Sequence, residues 1–100
     1  MPKGYWIARV DVTDPEGYKD YVAANGTAFS KYGARFIVRG GMFEAPEGIP
    51  RTRNIVLEFK DYATALACYH SPEYSAAKAL RLGKAEAELL VIEGYEGPQP

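Results

Sequence analysis

Tyr5 to Val12 alternates in the manner of a half-buried strand, with Trp6, Ala8, Val10 and Val12 on one side and Tyr5, Ile7, Arg9 and Asp11 on the other. After Asp14-Pro15 the apolar positions switch to helical spacing at Tyr18, Tyr21, Val22, Phe29 and Tyr32. An aspartate cap, proline at the first helical position and a closing Gly33 predict a helix from Pro15 to Tyr32, weakened at its middle by Gly26. Arg35 to Arg39 and Asn54 to Phe59 read as two further strands. Their connection, Gly40 to Arg53, is long for a hairpin turn and holds Gly40-Gly41, Pro46, Gly48 and Pro50. Either the strands continue into it around a bulge at the glycine pair or it is a binding loop; the extended look of Met42-Phe43-Glu44 favours continuation. Asp61 caps a helix over Tyr62 to His70. Proline at 72 pushes Ser71 out of helical geometry, so the helix breaks and restarts with Ser71 as cap, running through Tyr74, Ala77 and Leu80 to Gly83. Leu89 to Tyr95 forms the last strand. This predicts a single domain over residues 1–96 and a frayed tail over 97–100.

The order strand, helix, strand, strand, helix, strand is the α+β, ferredoxin-like βαββαβ plan with an antiparallel sheet. Right-handed crossovers place the first and third strands centrally and both helices on one face. Trp6, Ala8, Val10, Phe36, Val38, Ile55, Leu57 and Phe59 are then expected under the helices. The opposite face is expected to carry Ile7 and Arg9, Ile37 and Arg39, Val56 and Glu58, and Val91 and Glu93, with Arg9 meeting Glu93 and Arg39 meeting Glu58. A solvated face would account for the charges. The interspersed Ile7, Ile37, Val56 and Val91 favour a second copy packed sheet to sheet, closing a homodimeric α/β barrel.

The 100 residues carry 12 basic and 13 acidic side chains, a formal net charge of −1 at pH 7, with no run of basic residues. That gives no footprint for nucleic acid or an anionic membrane. The longest apolar run, Leu89-Leu90-Val91-Ile92, is far short of a bilayer span, and Met1-Pro2-Lys3 leads straight into a strand pattern, so a cytoplasmic protein is expected. One cysteine and one histidine complete neither a disulfide nor a structural zinc site. No metal and no cofactor is expected.

Four segments carry a recognisable pattern: Lys3-Gly4-Tyr5-Trp6-Ile7-Ala8-Arg9-Val10, Gly33-Ala34-Arg35-Phe36-Ile37-Val38-Arg39-Gly40-Gly41, Ala67-Cys68-Tyr69-His70-Ser71-Pro72-Glu73-Tyr74 and Val91-Ile92-Glu93-Gly94-Tyr95. Together they resemble, over almost the whole chain, the family known as domain of unknown function 1330, of the dimeric α/β-barrel superfamily. The resemblance implies a ferredoxin-like protomer, a sheet-to-sheet homodimer and a cleft between sheet and helices. Families on this plan include cofactor-free monooxygenases, lactone isomerases and haem enzymes, so the plan selects no chemistry, and this family brings no catalytic residues to carry over.

The lone Cys68 and lone His70 stand two positions apart, which points them to different sides of a helix, so they form no catalytic dyad, and Cys68 is expected in the core. His70, at the helix break, is a candidate general base; as a cap on the preceding carbonyls it needs no chemistry. Tyr69, Tyr74, Tyr18, Tyr21 and Tyr32 form a phenol-rich helical layer above Trp6 and Phe36, suited to an aromatic or quinone-like ligand and equally to a packed core. The candidate catalytic set is therefore His70 with Tyr69 and Tyr74. The candidate ligand-binding set is Trp6, Arg9, Tyr21, Asn25 and Arg81. The expected function is binding of a small organic molecule in the cleft, with a cofactor-free oxygenase or isomerase reaction as the version that includes catalysis; the alternative is a non-catalytic dimeric module without a ligand.

Overall fold

The computed structural model describes residues 2–100. They form β1 (Gly4–Val12), α1 (Pro15–Lys31), β2 (Arg35–Arg39), β3 (Arg53–Phe59), α2 (Tyr62–Tyr69), α3 (Pro72–Arg81) and β4 (Ala85–Glu93), the ferredoxin-like order with its second helix split in two. Each helix begins where the sequence supplies a cap. The side chains of Asp14, Asp61 and Ser71 accept from the backbone N–H groups of Gly17, Thr64 and Tyr74 at 3.1, 2.8 and 3.1 Å, satisfying amides that a helix start leaves unpaired. The hydroxyl of Ser71 also donates to the Cys68 carbonyl at 2.7 Å, so one buried serine closes α2 and opens α3.

The strands lie in the order β2-β3-β1-β4, all neighbours antiparallel, which puts β1 and β3 in the centre as expected. Trp6 anchors the core between this sheet and the three helices: it is 1% exposed, its Nε1–H donates to the Ala65 carbonyl at 2.9 Å, and Phe29, Tyr69 and Tyr74 each turn a ring against it from a different helix. At Gly4 a Cβ would run into the carbonyl of Asp61, so only glycine lets β1 pass beneath the start of α2.

Three expectations need correction. In β2, Phe36 lies opposite Leu57 but Val38 lies opposite Val56, so Ile37 is the extra residue of a bulge. Directly opposed residues share a face, which sends Val38 to the open side and Arg39, opposite Ile55, to the helix side. Arg39 therefore does not meet Glu58; that carboxylate accepts from the Tyr5 hydroxyl at 3.3 Å. In β4, which begins at Ala85, Val91 lies opposite Trp6 and Glu93 opposite Gly4, so both belong to the helix side rather than the open face. Leu90 and Ile92 take their place, and Arg9 faces Glu88 at 4.0 Å instead of Glu93. Ile7, Arg9, Val56 and Glu58 keep the expected open side.

The third correction concerns the chain after Arg39, which does not continue as strand. Gly40 and Gly41 adopt φ of 72° and 80°, a left-handed pair that turns the backbone out of the sheet, and residues 40–52 are irregular. The returning half of this loop is tied to the open face. Arg51 reaches Asp11, Glu88 and Glu86 at 2.9, 3.1 and 3.6 Å, and Arg9 donates to the Ile49 carbonyl at 3.1 Å.

Candidate functional site

A crevice opens between the inner face of the sheet and α1. Of the residues singled out for ligand binding, Trp6, Tyr21, Asn25 and Arg81 line it, while Arg9 lies on the opposite side of the sheet. The crevice itself has a volume of about 30 Å³, space for a water or two. It shares Tyr18, Val22 and Arg53 with a broader hollow of about 510 Å³ along α1, bordered also by Val12 and Pro15. That second volume is in the range of small-molecule sites.

The three residues proposed for catalysis lie outside the crevice lining. His70 is the C-cap of α2 and is exposed, its backbone N–H donating to the Leu66 carbonyl at 3.1 Å and its ring set edge-on to Tyr69. Tyr69 packs its ring against Trp6 and accepts a hydrogen bond from Lys78 Nζ at 2.8 Å. Tyr74 is fully buried, and its hydroxyl lies 2.8 Å from that of Tyr21, through which it touches the crevice wall. Burial, reinforced by Tyr21, pushes the Tyr74 phenol above its ordinary value, and burial does the same to Tyr18, so both stay protonated at neutral pH. Cys68 is buried with its thiol directed at the Ala28 carbonyl, and burial, with a smaller contribution from Glu73, pushes it up to about 12. It is core packing, as expected.

What sequence reasoning missed is the pair of arginines, Arg39 and Arg53, that stands with Arg81. Arg39 from β2, Arg53 from β3 and Arg81 from α3 all border the crevice. Each guanidinium is held over an aromatic ring: Arg39 over Phe36 at 4.2 Å, Arg53 over Tyr18 at 5.8 Å and Arg81 over Tyr21 at 5.3 Å. The rings of Tyr18 and Tyr21 are themselves 5.2 Å apart, which makes Arg53, Tyr18, Tyr21 and Arg81 one continuous surface. No aspartate, glutamate, histidine or lysine lines the crevice, and among the described residues none of the three arginines forms an ion pair. Arg53 Nε is buried and has no hydrogen-bond partner. The signal for Arg53 was in the sequence: period two carried back from Phe59, Leu57 and Ile55 reaches it, one residue before the predicted start of the strand. Arg39 had no such signal, because only the bulge at Ile37 turns it inward.

Chemically, this wall offers flat apolar surfaces, hydroxyl and amide hydrogen-bond partners, and concentrated positive charge. It offers no group poised to take a proton at neutral pH. Among the described residues no three of histidine, cysteine, aspartate and glutamate gather to hold a metal ion, and no helix is long and apolar enough to cross a membrane.

Comparison with solved structures shows the same fold at low identity. A protein of unknown function from Rhodopseudomonas palustris superposes with a TM-score of 0.73 at 15% identity, covering 96% of this chain and 85% of that one. SnoaB, a cofactor-independent oxygenase from Streptomyces nogalater, does so with 0.67 at 10% identity, covering 97% of each chain. A dimeric protein of unknown function and ferredoxin-like fold from Bacteroides fragilis gives 0.55 at 16% identity, over 93% of this chain and 97% of that one. A search among curated proteins found no match. The model of one family, Domain of unknown function (DUF1330), matches residues 3–95, and the chain belongs to that family.

Proposed function

We propose that the protein is a cytoplasmic homodimer that binds a small organic molecule of aromatic or quinone-like character between the sheet and α1. The observation that carries this reading is the junction of the crevice and the α1 hollow. Tyr18, Val22 and Arg53 line both spaces there, Trp6, Phe29, Phe36 and Tyr21 supply flat walls behind them in the crevice, and Asn25 adds an amide beside the arginines. The dimer is supported by the open face of the sheet. Ile7, Ile37, Val38, Leu90 and Ile92 stand between 38% and 50% exposed on one surface, an apolar patch that a second copy would cover in the manner expected of sheet-to-sheet packing. The Bacteroides fragilis protein of the same fold is dimeric.

Binding accounts for the crevice better than proton-transfer catalysis, because its lining contains no imidazole and no carboxylate. A reaction of the cofactor-free oxygenase or isomerase type would have to draw on the acidity of the substrate itself, with Tyr21 and Asn25 orienting it. His70 then serves as a helix cap. Native mass spectrometry of gently purified protein tests the reading, since one spectrum gives subunit number and any retained mass. A dimer carrying a defined extra mass supports it; a bare dimer favours a module without a ligand, and a monomer contradicts the assembly.

A further inference from the structure

We propose that the crevice selects anions, and that its ligand presents a carboxylate to Arg53, flanked by Arg39 and Arg81, while its apolar body lies in the hollow along α1. The inference rests on the reading of the crevice as a ligand site and adds the ligand's charge and orientation.

Elsewhere two partly buried cations are neutralised by carboxylates, and a third is taken up by a phenol. Arg51 has three carboxylates within reach, Lys84 is 3.6 Å from Asp14, and Lys78 donates to the Tyr69 hydroxyl at 2.8 Å. Arg53 and Arg81, both half-buried, have no such partner, although a guanidinium is unfavourable to bury alone, and the exposed Arg39 beside them has no carboxylate either. Three like charges around one opening repel one another, and an anion between them removes that repulsion. A buried donor is normally satisfied, so the unpaired Arg53 Nε calls for an acceptor inside the crevice.

The aromatic contacts fit the same purpose. Arg53 and Arg81 lie over the rings of Tyr18 and Tyr21, and among the described residues no side-chain acceptor takes the buried Arg53 Nε–H, which leaves that donor for a carboxylate oxygen. The volumes fix the orientation. A crevice of about 30 Å³ admits a head group and no aromatic ring, whereas the adjoining hollow of about 510 Å³, bordered by Val12, Pro15 and Val22, admits the rest. Arg53 and Tyr18 border both spaces and mark where head and body join. If the arginines served only to cover apolar surface with their stems, charge on the ligand would not matter.

The test is a pair of NMR titrations of the full chain with benzoate and with benzamide, which share shape and differ in charge, at constant ionic strength. The indole N–H of Trp6, the chain's one tryptophan, and the Nε–H of Arg53 are the reporters. Benzoate is expected to bind at least about tenfold more tightly than benzamide, Arg53→Gln to abolish that preference and Arg53→Lys to retain part of it. A merely structural Arg53 would change both ligands alike. Arg81→Gln gives the same reading should Arg53→Gln fail to fold. Equal affinities for the two ligands overturn the anion assignment and leave the ligand site standing. A benzoate preference that survives both Gln variants overturns the role of these arginines, and reporters unmoved by either compound overturn the ligand site as well.

Discussion

Tyr21 and Tyr74 share one hydrogen bond, with 2.8 Å between their hydroxyl oxygens, where α1 meets α3 beside Trp6. Tyr74 is 0% exposed, so neither water nor another side chain replaces a lost partner there. Changing Tyr21 to Phe leaves the Tyr74 hydroxyl unsatisfied and should destabilise the protein by about 1–3 kcal/mol. The double variant Tyr21→Phe, Tyr74→Phe removes both polar groups and should lose less than the sum of the single changes. Urea unfolding of the three variants checks this; additive losses would deny the pairing.

Cys68 should be inert in the folded state. Its thiol is 0% exposed and pushed up to about 12 by burial, so almost no thiolate exists at mildly alkaline pH. A thiol reagent such as DTNB is expected to react with one equivalent of cysteine only after denaturation. Stoichiometric reaction within seconds on native protein would contradict the buried placement.

Acid should weaken the fold through its caps and loop clamp. Asp11 is held below its ordinary value of 3.8 first by the Thr52 backbone N–H, Asp14 by that of Gly17, and Asp61 by the side chain and then the backbone N–H of Thr64. Groups with a lowered folded pKa contribute stability that is present above about 3.8 and is lost as the pH falls through their folded values. The melting temperature should therefore change little between neutrality and mild acid and drop steeply below about pH 4. Asp61→Asn keeps a capping oxygen without the charge, and should flatten part of that acid limb.

The open face gives a paired prediction about assembly. Ile7→Asp and Leu90→Asp place a charge on the exposed apolar surface and should yield folded monomers by analytical ultracentrifugation. Val91→Asp, opposite Trp6 on the covered side, should instead impair folding, because it puts an unpaired carboxylate into the core. A folded monomeric Val91→Asp would overturn the register of β4.

That last pair also shows where the sequence was legible. The elements, their caps, the split of the second helix at Pro72 and the strand order could all be read, since each rests on local chemistry: aspartate before a helix, proline at its first turn, alternation in β1. The phase of β4 was misjudged because Leu89 to Ile92 is apolar on both sides. Glu86 and Glu88, which lie in the strand and point to the open face with Arg9 and Asp11, carry the alternation that sets it. Starting the strand at Leu89 discarded them. The bulge at Ile37 left no local mark, yet it alone exchanges Val38 for Arg39 on the helix side. The candidate site followed the same division: Trp6, Tyr21, Asn25 and Arg81 fell on regular elements of known phase, whereas Arg39 and Arg53 depended on a bulge and on a strand end.

Trp6 provides the most direct measurement of the central claim, because it is the chain's one tryptophan, lines the crevice and is 1% exposed. Its fluorescence should resist iodide, a quencher confined to solvent, and be quenched saturably by 1,4-naphthoquinone as the ring system occupies the hollow along α1 and a carbonyl points into the crevice that Trp6 lines. Emission that naphthoquinone leaves as untouched as iodide does would mean that nothing of this class reaches Trp6, and would contradict the crevice as a ligand site.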